Sequence, residues 1–279
     1  MADSVRIAAG STIADVLAAG WLPALEARIL LGHALGMTRV QLVTQSARAL
    51  TADDARALCA LFARRRAGEP IAYLTGEREF FGLTFSVTPE VLIPRHETEL
   101  LVELALERLP KNGSALDLGT GSGAIAVSLA HARPDTALLA TDASAAALEV
   151  ARANAARNGV TLRFALSDWY SNIEGQFDLI VSNPPYIAAG DPHLSQGDLR
   201  FEPASALTDD ADGLTDLAAI IDGAPSRLHP GGWLLMEHGY DQSSIVRHML
   251  QQEGWTDVQS WPDLAGIERV SGGRWTAAT

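Results

Sequence analysis

The sequence is poor in cysteine, in basic residues and in long apolar runs, and each shortage excludes a class of protein. Cys59 is the single cysteine among 279 residues, so there is no intrachain disulfide and no thiolate metal cluster to propose. Acidic residues number 34 against 21 basic ones, which gives a formal net charge of -13. Because Lys and Arg supply most of the affinity for phosphate backbones, this balance weighs against broad nucleic-acid binding.

Other missing patterns narrow the class further. No apolar run approaches the ~18 residues of a membrane span, and the first residues lack the charged-then-apolar pattern of a signal peptide, so we expect a cytoplasmic protein without membrane contact. The seven histidines show no metal-ligand spacing, and we expect no metal site. Neither a G-x-S-x-G elbow nor a P-loop is present, which disfavours hydrolase and kinase functions.

The hydrophobic pattern changes twice along the chain and predicts three regions. Residues 1–75 show helical spacing and predict a small helical domain that docks a macromolecular substrate, with a capping box at Thr51 and Asp54 and a helix end at Gly36. Residues 76–95 alternate aromatic and β-branched side chains, which predicts a β-hairpin linker turning near Gly82. Residues 96–279 alternate strands and helices, which predicts an α/β domain with a mostly parallel sheet and an antiparallel pair at its end.

The stretch from Asp178 to Tyr186 is one of two strong local signals. Its first half is a continuous apolar run, which predicts a strand buried on both faces. Pro184 and Pro185 then stop the strand and hold Asn183 extended, next to the aromatic ring of Tyr186. This motif follows a strand's carboxyl end, where open α/β sheets bind ligands, so it predicts a stiff acceptor site; a structural proline turn is the alternative.

The second signal is an apolar strand that runs into glycines and then a helix, with the turn residues Gly119, Thr120, Gly121, Ser122 and Gly123. A turn of this kind lets the backbone approach a nucleotide closely and directs amide hydrogens towards it. Asp142 ends the next strand, at a spacing that suits a carboxylate accepting both ribose hydroxyls. The glycines also satisfy a dinucleotide fingerprint, so they predict a nucleoside cofactor without identifying it.

Two further features complete the predicted site. Asp168 and Trp169 follow a third strand and are placed to receive an adenine by hydrogen bonding and stacking, although a helix cap with a packing tryptophan explains them nearly as well. A long polar loop over residues 187–212 includes Glu202 and Pro203, and a loop of this length is typical of a cover over a site. A helix over residues 213–228 and a strand from Trp233 to Glu237 are predicted after it.

Together these residues resemble a known family. The glycine motif, the acid-ended strand and Asn183-Pro-Pro-Tyr186 resemble class I S-adenosylmethionine-dependent methyltransferases, which have a Rossmann-like fold. Pro70 to Gly76, Phe80 to Leu83, Leu92 to Arg95, Glu202-Pro203, and Ala265-Gly266 with Arg269 more narrowly resemble the protein-(glutamine-N5) methyltransferases of peptide chain release factors, the PrmC/HemK family. The resemblance covers essentially the whole chain. His96 departs from it, because the family usually has a proline there.

The resemblance implies an enzyme that methylates the glutamine of the Gly-Gly-Gln motif of class 1 release factors and so supports translation termination. It implies a site for S-adenosyl-L-methionine that includes the glycine turn, Asp142, Asp168, Trp169 and Asn183, and a glutamine site formed by Asn183, Pro184, Pro185 and Tyr186. Catalytic roles are expected for Asn183, Pro184 and Tyr186. If the Asn183 side-chain oxygen and the Pro184 carbonyl accept both N–H groups of the amide, fixed dipoles stabilise the charge that develops on its nitrogen.

Two other functions remain as alternatives. An exocyclic-amine methyltransferase acting on DNA or RNA would use the same acceptors for a flipped base, but the acidic net charge disfavours it. A nicotinamide-dependent dehydrogenase would use the dinucleotide fingerprint, but it leaves the segment from Asn183 to Tyr186 unexplained.

Overall fold

A computed structural model describes residues 5–276 of the chain. The chain divides into two compact units, Met1–Gly76 and Glu77–Thr279. Within the described residues, the first unit is helical and the second is built on a seven-stranded sheet with helices on both faces. No helix in residues 5–276 is both long and apolar enough to cross a membrane.

The first unit consists of short helices around their own apolar core. Its helices are α1 (Ile13–Ala18), α2 (Ala24–Leu35), α3 (Arg39–Thr44), α4 (Ala52–Arg66) and α5 (Ile71–Thr75). The predicted capping box is confirmed, since the Thr51 side chain accepts the Asp54 backbone N–H and the Asp54 carboxylate accepts the Thr51 backbone N–H. Gly36 ends α2 in the left-handed region (φ 62°), as predicted. Ile13, Leu30, Leu31, Leu58 and Phe62 are fully buried in this core.

The second unit begins with the predicted hairpin. Strand β1 (Glu77–Phe80) pairs antiparallel with β2 (Leu83–Ser86), and Phe80 lies opposite Leu83. The turn residues Phe81 (φ 51°) and Gly82 (φ 73°) are both in the left-handed region, which the two-residue connection requires. The hairpin packs its Phe80 and Phe85 side chains into the core of the second unit.

The main sheet of the second unit has the predicted mostly parallel architecture. Its strands are β3 (Ser114–Leu118), β4 (Ala137–Asp142), β5 (Arg163–Leu166), β6 (Phe177–Ser182), β7 (Leu228–Glu237), β8 (Thr256–Pro262) and β9 (Glu268–Arg274). Within the described residues the order is β5-β4-β3-β6-β7-β9-β8. The pairs from β5 to β7 are parallel, and β9 runs antiparallel to both β7 and β8.

Five helices cover the two faces of this sheet in residues 77–276. They are α6 (Glu99–Arg108), α7 (Ala124–Ala132), α8 (Ala145–Arg157), α9 (Thr215–Gly223) and α10 (Ser243–Gln252). The predicted helix over 213–228 is too long, because the chain leaves α9 for a 3-10 turn that contains Pro225. The last predicted strand before α10 is correspondingly too short, since β7 begins at Leu228 rather than at Trp233.

Strand order and register determine where the site lies. After β3 the chain passes to β4 and β5 on one side, and then returns to β6 on the other side of β3. Ligands bind at such a switch point, outside the carboxyl ends of the strands. Leu118 pairs with Ser182, so the residues that follow them, Gly119 and Asn183, leave neighbouring strands at the same level. The Ser182 hydroxyl donates to the Leu118 carbonyl at 2.8 Å and holds these two strand ends together.

Candidate active site

A cavity of about 270 Å³ lies at this switch point in the second unit. Its walls come from the ends of β3, β4, β5 and β6, from the segment before α6 and from the long loop that follows β6. Of the predicted site residues, the following line it: Gly119, Thr120, Gly121, Ser122, Asp142, Asp168, Trp169, Asn183 and Pro185. Gly123, Pro184 and Tyr186 are not among its lining residues in the described part of the chain.

The glycine turn is held by backbone conformation. Gly119, Gly121 and Gly123 have φ values of 69°, 55° and 82°, in the region that other residues avoid. Gly123 is the N-cap of α7, and a Cβ there would lie 3.1 Å from the Cβ of Ala151 in α8. The absence of side chains at these positions therefore allows a sharp turn and close packing of two helices.

Asp142 connects the ends of β3 and β4. Its two carboxylate oxygens accept backbone N–H groups from Gly121 and Ser144, each at 2.8 Å. Burial raises the pKa of this carboxyl, although the backbone hydrogen bonds oppose the rise. Each oxygen retains a second lone pair, so the carboxylate can still accept hydroxyl groups from a ligand in the cavity.

Trp169 forms one side of the cavity in a constrained conformation. Its backbone has a φ of 41°, and its indole nitrogen donates to the Asp216 carboxylate at 3.2 Å. A Cβ on Gly119 would lie 3.5 Å from the indole ring, so the glycine turn and the ring are neighbours. Asp168 lies beside them in the cavity wall. The predicted cluster of an acid and an aromatic ring thus lies next to the glycine turn.

Asn183 lies on the opposite side of the cavity. Its amide nitrogen donates to the Thr98 hydroxyl at 3.2 Å, which orients the side chain and leaves its oxygen as an acceptor. Pro184 is buried, whereas Pro185 contributes to the cavity wall. The Tyr186 hydroxyl donates to Glu237 at 3.2 Å, and burial raises the pKa of this phenol.

Several cavity residues were not predicted from the sequence. Residues before α6 include Val91, Pro94, Arg95 and Thr98, and residues near α8 and α9 include Ser144, Ala147 and Asp216. None of them belongs to the two local motifs. The Arg95 position had a signal, because Pro94 and Arg95 belong to one of the segments that carry the family resemblance. Thr98 and Asp216 have no such signal in the sequence, because only contacts between segments far apart along the chain bring them to the cavity.

The long loop after β6 contributes to the site, as its length predicted. Pro203, Ser205 and Ala206 line the cavity. Glu202 fixes this part of the loop, since its buried carboxylate forms an ion pair with Arg95 and accepts the Ile93 backbone N–H at 3.0 Å. The loop and the segment before α6 are therefore joined by a charge-assisted contact at the edge of the cavity.

Comparisons with known proteins agree with this geometry. Residues 96–206 match the family profile described as "Methyltransferase small domain", and residues 13–76 match the "PrmC N-terminal domain". A release factor glutamine methyltransferase of Burkholderia pseudomallei is 56% identical over 95% of this chain and 96% of its own length. One of Bordetella pertussis is 54% identical over 93% of this chain and 97% of its own length. The chain belongs to the release factor glutamine methyltransferase family.

Solved structures support the fold assignment. A methyltransferase from Pyrococcus furiosus superposes with a TM-score of 0.55 at 21% identity, covering 77% of this chain and 97% of that one. The predicted family and the predicted α/β methyltransferase fold are thus confirmed. The protein is a methyltransferase, and S-adenosyl-L-methionine is its cofactor.

The cavity fits that cofactor by the chemistry of its donors and by its open glycine turn. Carboxylates at Asp142 and Asp168 can accept hydroxyl and amino groups, and the indole of Trp169 offers an apolar flat surface. Apart from Gly121 and its two neighbours in the chain, no described residue has an atom within 4 Å of where a Cβ on Gly121 would be, so the backbone there is open to a ligand. These residues would hold the nucleoside part of S-adenosyl-L-methionine.

Proposed function

We propose that this protein transfers a methyl group from S-adenosyl-L-methionine to the side-chain amide nitrogen of the glutamine in the Gly-Gly-Gln motif of class 1 peptide chain release factors. One observation carries the proposal: the glycine turn after β3 and Asn183 after β6 line the same cavity. A nucleoside site and an amide-binding motif therefore face one space. The names of the curated relatives support the choice of substrate.

The acceptor residues explain how a weak nucleophile is prepared. An amide nitrogen reacts poorly because its lone pair is delocalised into the carbonyl group. We propose that the Asn183 side-chain oxygen and the Pro184 carbonyl accept its two hydrogens. The bond from Asn183 to Thr98 supports this assignment, because it uses the Asn183 nitrogen and leaves the oxygen for the substrate. Tyr186 follows them in the chain with its hydroxyl held by Glu237, and we propose that its ring restricts the position of the bound amide.

The reaction needs little further chemistry from the protein. S-adenosyl-L-methionine supplies an electrophilic methyl group on a sulfonium centre. The Asn183 and Pro184 oxygens orient the amide nitrogen and stabilise the positive charge that develops on it. No strong base is required before transfer, because fixed dipoles of this kind do not reorganise during the reaction. As the nitrogen–methyl bond forms, the sulfur–methyl bond breaks and leaves a neutral thioether, and the methylated nitrogen then loses one of its two protons to solvent. Fixing the amide in one orientation contributes several kcal/mol by proximity.

Mass spectrometry tests the proposal directly. The protein is incubated with S-adenosyl-L-methionine and an unmodified release factor, and the peptide containing the Gly-Gly-Gln motif is analysed. We expect one added methyl group on the glutamine, and a release factor with Gln→Asn in that motif is the control. Absence of the methyl group, with label on added DNA or RNA instead, would favour the base methyltransferase alternative.

We also propose that the N-terminal unit docks the release factor. Its support is the match of residues 13–76 to the PrmC N-terminal domain, together with three exposed apolar side chains on α2 and α3. Leu25, Val40 and Val43 are 59%, 70% and 71% exposed. Apolar side chains exposed to this extent are typical of contact surfaces when they cluster.

The docking proposal predicts a difference between large and small substrates. Val40→Glu together with Val43→Glu should raise the KM for a whole release factor by about tenfold, since a buried charge opposes docking. The KM for a short Gly-Gly-Gln peptide should not change. Leu264→Glu, at an exposed leucine of the second unit, is the matched control. Equal effects on both substrates would exclude docking by this surface.

A further inference from the structure

A buried glutamate that neither local motif includes lies directly behind the acceptor residues. Glu237 ends β7, and its side chain is almost fully buried. Ser182 of β6 pairs with Met236 of β7, so the next residues, Asn183 and Glu237, leave neighbouring parallel strands at the same level. The register of two central strands therefore fixes this carboxylate beside the amide-binding motif.

Two hydroxyl groups connect Glu237 to that motif. The Tyr186 hydroxyl donates to Glu237 Oε1 at 3.2 Å. The Thr98 hydroxyl accepts from Asn183 Nδ2 at 3.2 Å, so its own proton is available to a second acceptor. Thr98 is close enough to Glu237 to lower the pKa of this carboxyl by hydrogen bonding. The buried Glu237 carboxylate is thus hydrogen-bonded to Tyr186 and lies beside Thr98, which holds Asn183.

We infer that Glu237 is a positioning residue for methyl transfer, which sets the orientation of Tyr186 directly and that of Asn183 through Thr98. This inference rests on the proposed function, because it assigns the two oriented side chains to the glutamine amide. Asn183 must present its oxygen and not its nitrogen to the substrate. Glu237 favours that orientation as an acceptor for the Thr98 hydroxyl proton. The Thr98 oxygen then accepts from the Asn183 nitrogen, and the Asn183 oxygen is left for the substrate.

The surroundings of Glu237 make its charge state sensitive to pH. Burial, together with the nearby Glu97, raises its pKa to about 7 against the opposing effects of Thr98, Tyr186 and Arg269. Glu237 Oε2 has no hydrogen-bond partner among the described residues. The ionised carboxylate is the stronger acceptor, so it holds the Tyr186 hydroxyl more firmly than the protonated form and favours a hydroxyl donor at the neighbouring Thr98. Asp117 also titrates near this range, because burial raises its pKa to about 7.

Glu237→Gln tests the inference, because it keeps the shape of the side chain and removes its charge. We expect kcat with a release factor to fall about tenfold to a hundredfold through misorientation, and calorimetric binding of S-adenosylhomocysteine to remain unchanged. In the wild type, kcat should rise with pH through about 7, and this rise should disappear in the variant. Glu253→Gln, at an exposed position after α10, is the matched control.

A double-mutant cycle separates positioning from a structural role. Tyr186→Phe removes one donor to Glu237, so adding Glu237→Gln to it should cost less than Glu237→Gln costs alone. Additive losses, or an unchanged pH dependence in Glu237→Gln, would overturn the inference while the wild type still methylates its substrate. Failure of the wild type to methylate any release factor would instead overturn the proposed function.

A readout without substrate covers that second case. In the ¹⁵N-labelled protein, the side-chain amide resonance of Asn183 reports the bond to Thr98. We expect this resonance to shift in Glu237→Gln and to remain in place in Glu253→Gln. An unchanged Asn183 resonance in Glu237→Gln would contradict the inference whatever the substrate is.

Discussion

The two sides of the cavity are built in different ways. The glycine turn on one side is fixed by its own backbone, with three glycines at positive φ and bonds to the adjacent strand end. The segment from Asn183 to Tyr186 on the other side is fixed by side chains from distant parts of the chain. Thr98 holds Asn183, Glu237 holds the Tyr186 hydroxyl, and Gln242 donates to the Tyr186 carbonyl at 3.0 Å. The conformation of the glycine turn is thus encoded locally, whereas that of the proposed amide site depends on the whole fold.

The largest expected effect is a loss of kcat on substitution of Asn183, with little change in cofactor binding. Asn183→Ala removes an acceptor for the substrate amide and should reduce kcat about 10²- to 10³-fold, the cost of removing one preorganised polar group. Binding of S-adenosylhomocysteine should weaken by no more than about tenfold, because the glycine turn remains intact. Single-turnover methylation and calorimetry measure the two quantities.

Asn158→Ala is the control for that variant. Asn158 also uses its side-chain nitrogen for two hydrogen bonds, to the Thr84 and Asn154 carbonyls, but it does not line the cavity. We expect normal activity for it. We call the segment from Asn183 to Tyr186 the acceptor side of the cavity. Full activity in Asn183→Ala would show that Asn183 on the acceptor side does not bind the reacting amide.

Two buried acids, one near each side of the cavity, should make the stability of the protein depend on pH. Burial raises the pKa of Asp117, at the end of β3, and that of Glu237, at the end of β7, to about 7 in each case. Both values lie above the unfolded pKa of about 4, so the folded protein binds more protons between these two pH values. The stabilisation by bound protons is complete below about pH 4 and is lost as the pH rises through about 7.

Denaturant unfolding at several pH values measures this effect. Between about pH 4 and pH 8, the free energy of unfolding of the wild type should fall by roughly 3 kcal/mol for each acid, relative to a variant that lacks that acid. Asp117→Asn and Glu237→Gln each remove one contribution, and the double variant removes both. A difference between wild type and variants that does not change with pH would contradict the raised pKa values.

Close packing against Tyr186 distinguishes two glycines of similar backbone conformation. Gly213 and Gly254 have nearly equal φ values, 80° and 81°, so an alanine is equally strained at both. A Cβ on Gly213 would lie only 2.4 Å from the Tyr186 carbonyl oxygen, whereas within residues 5–276 one on Gly254 would have no atom within 4 Å beyond its own chain neighbours. Gly213→Ala should therefore cost about 1–3 kcal/mol more in unfolding free energy than Gly254→Ala.

Activity measurements on the same pair extend that comparison. Gly213→Ala must move the Tyr186 backbone, so we expect a lower kcat with unchanged cofactor binding. Gly254→Ala should retain full activity. Equal activity of the two variants would show that the position of Tyr186 does not matter for transfer.

The same contrast explains what the sequence could predict. The glycine turn, Asp142 and the Asn183 motif are each encoded within a few residues of a strand end, so periodicity and turn chemistry indicated them. The parallel sheet followed from alternating strand and helix patterns. The hairpin near Gly82 was predicted because its turn residue and flanking alternation lie together in the sequence.

The missed features depend on contacts between distant residues. Thr98 lies 85 residues before Asn183, and Glu202 lies 107 residues after its partner Arg95. The sequence predicts Glu237 only as the end of a strand, because its burial depends on β6 and β9, which pair with the two edges of β7. The end of the helix before β7 was misplaced because its apolar pattern continues past Pro225, although the regular helix stops at Gly223.

The smallest expected effect is that of substituting His96, which tests whether the turn before α6 influences the position of Thr98. His96 stands where the family usually has a proline, two residues before Thr98. Its side chain is 69% exposed and contacts Glu99 at 3.2 Å, which contributes little at such exposure. Arg95 is extended (φ -99°, ψ 146°), as a residue before proline must be, and His96 begins a 3-10 turn that suits the proline ring. His96→Pro should therefore change unfolding free energy by less than about 0.5 kcal/mol and leave kcat unchanged, and a tenfold loss of kcat would show that this turn positions Thr98.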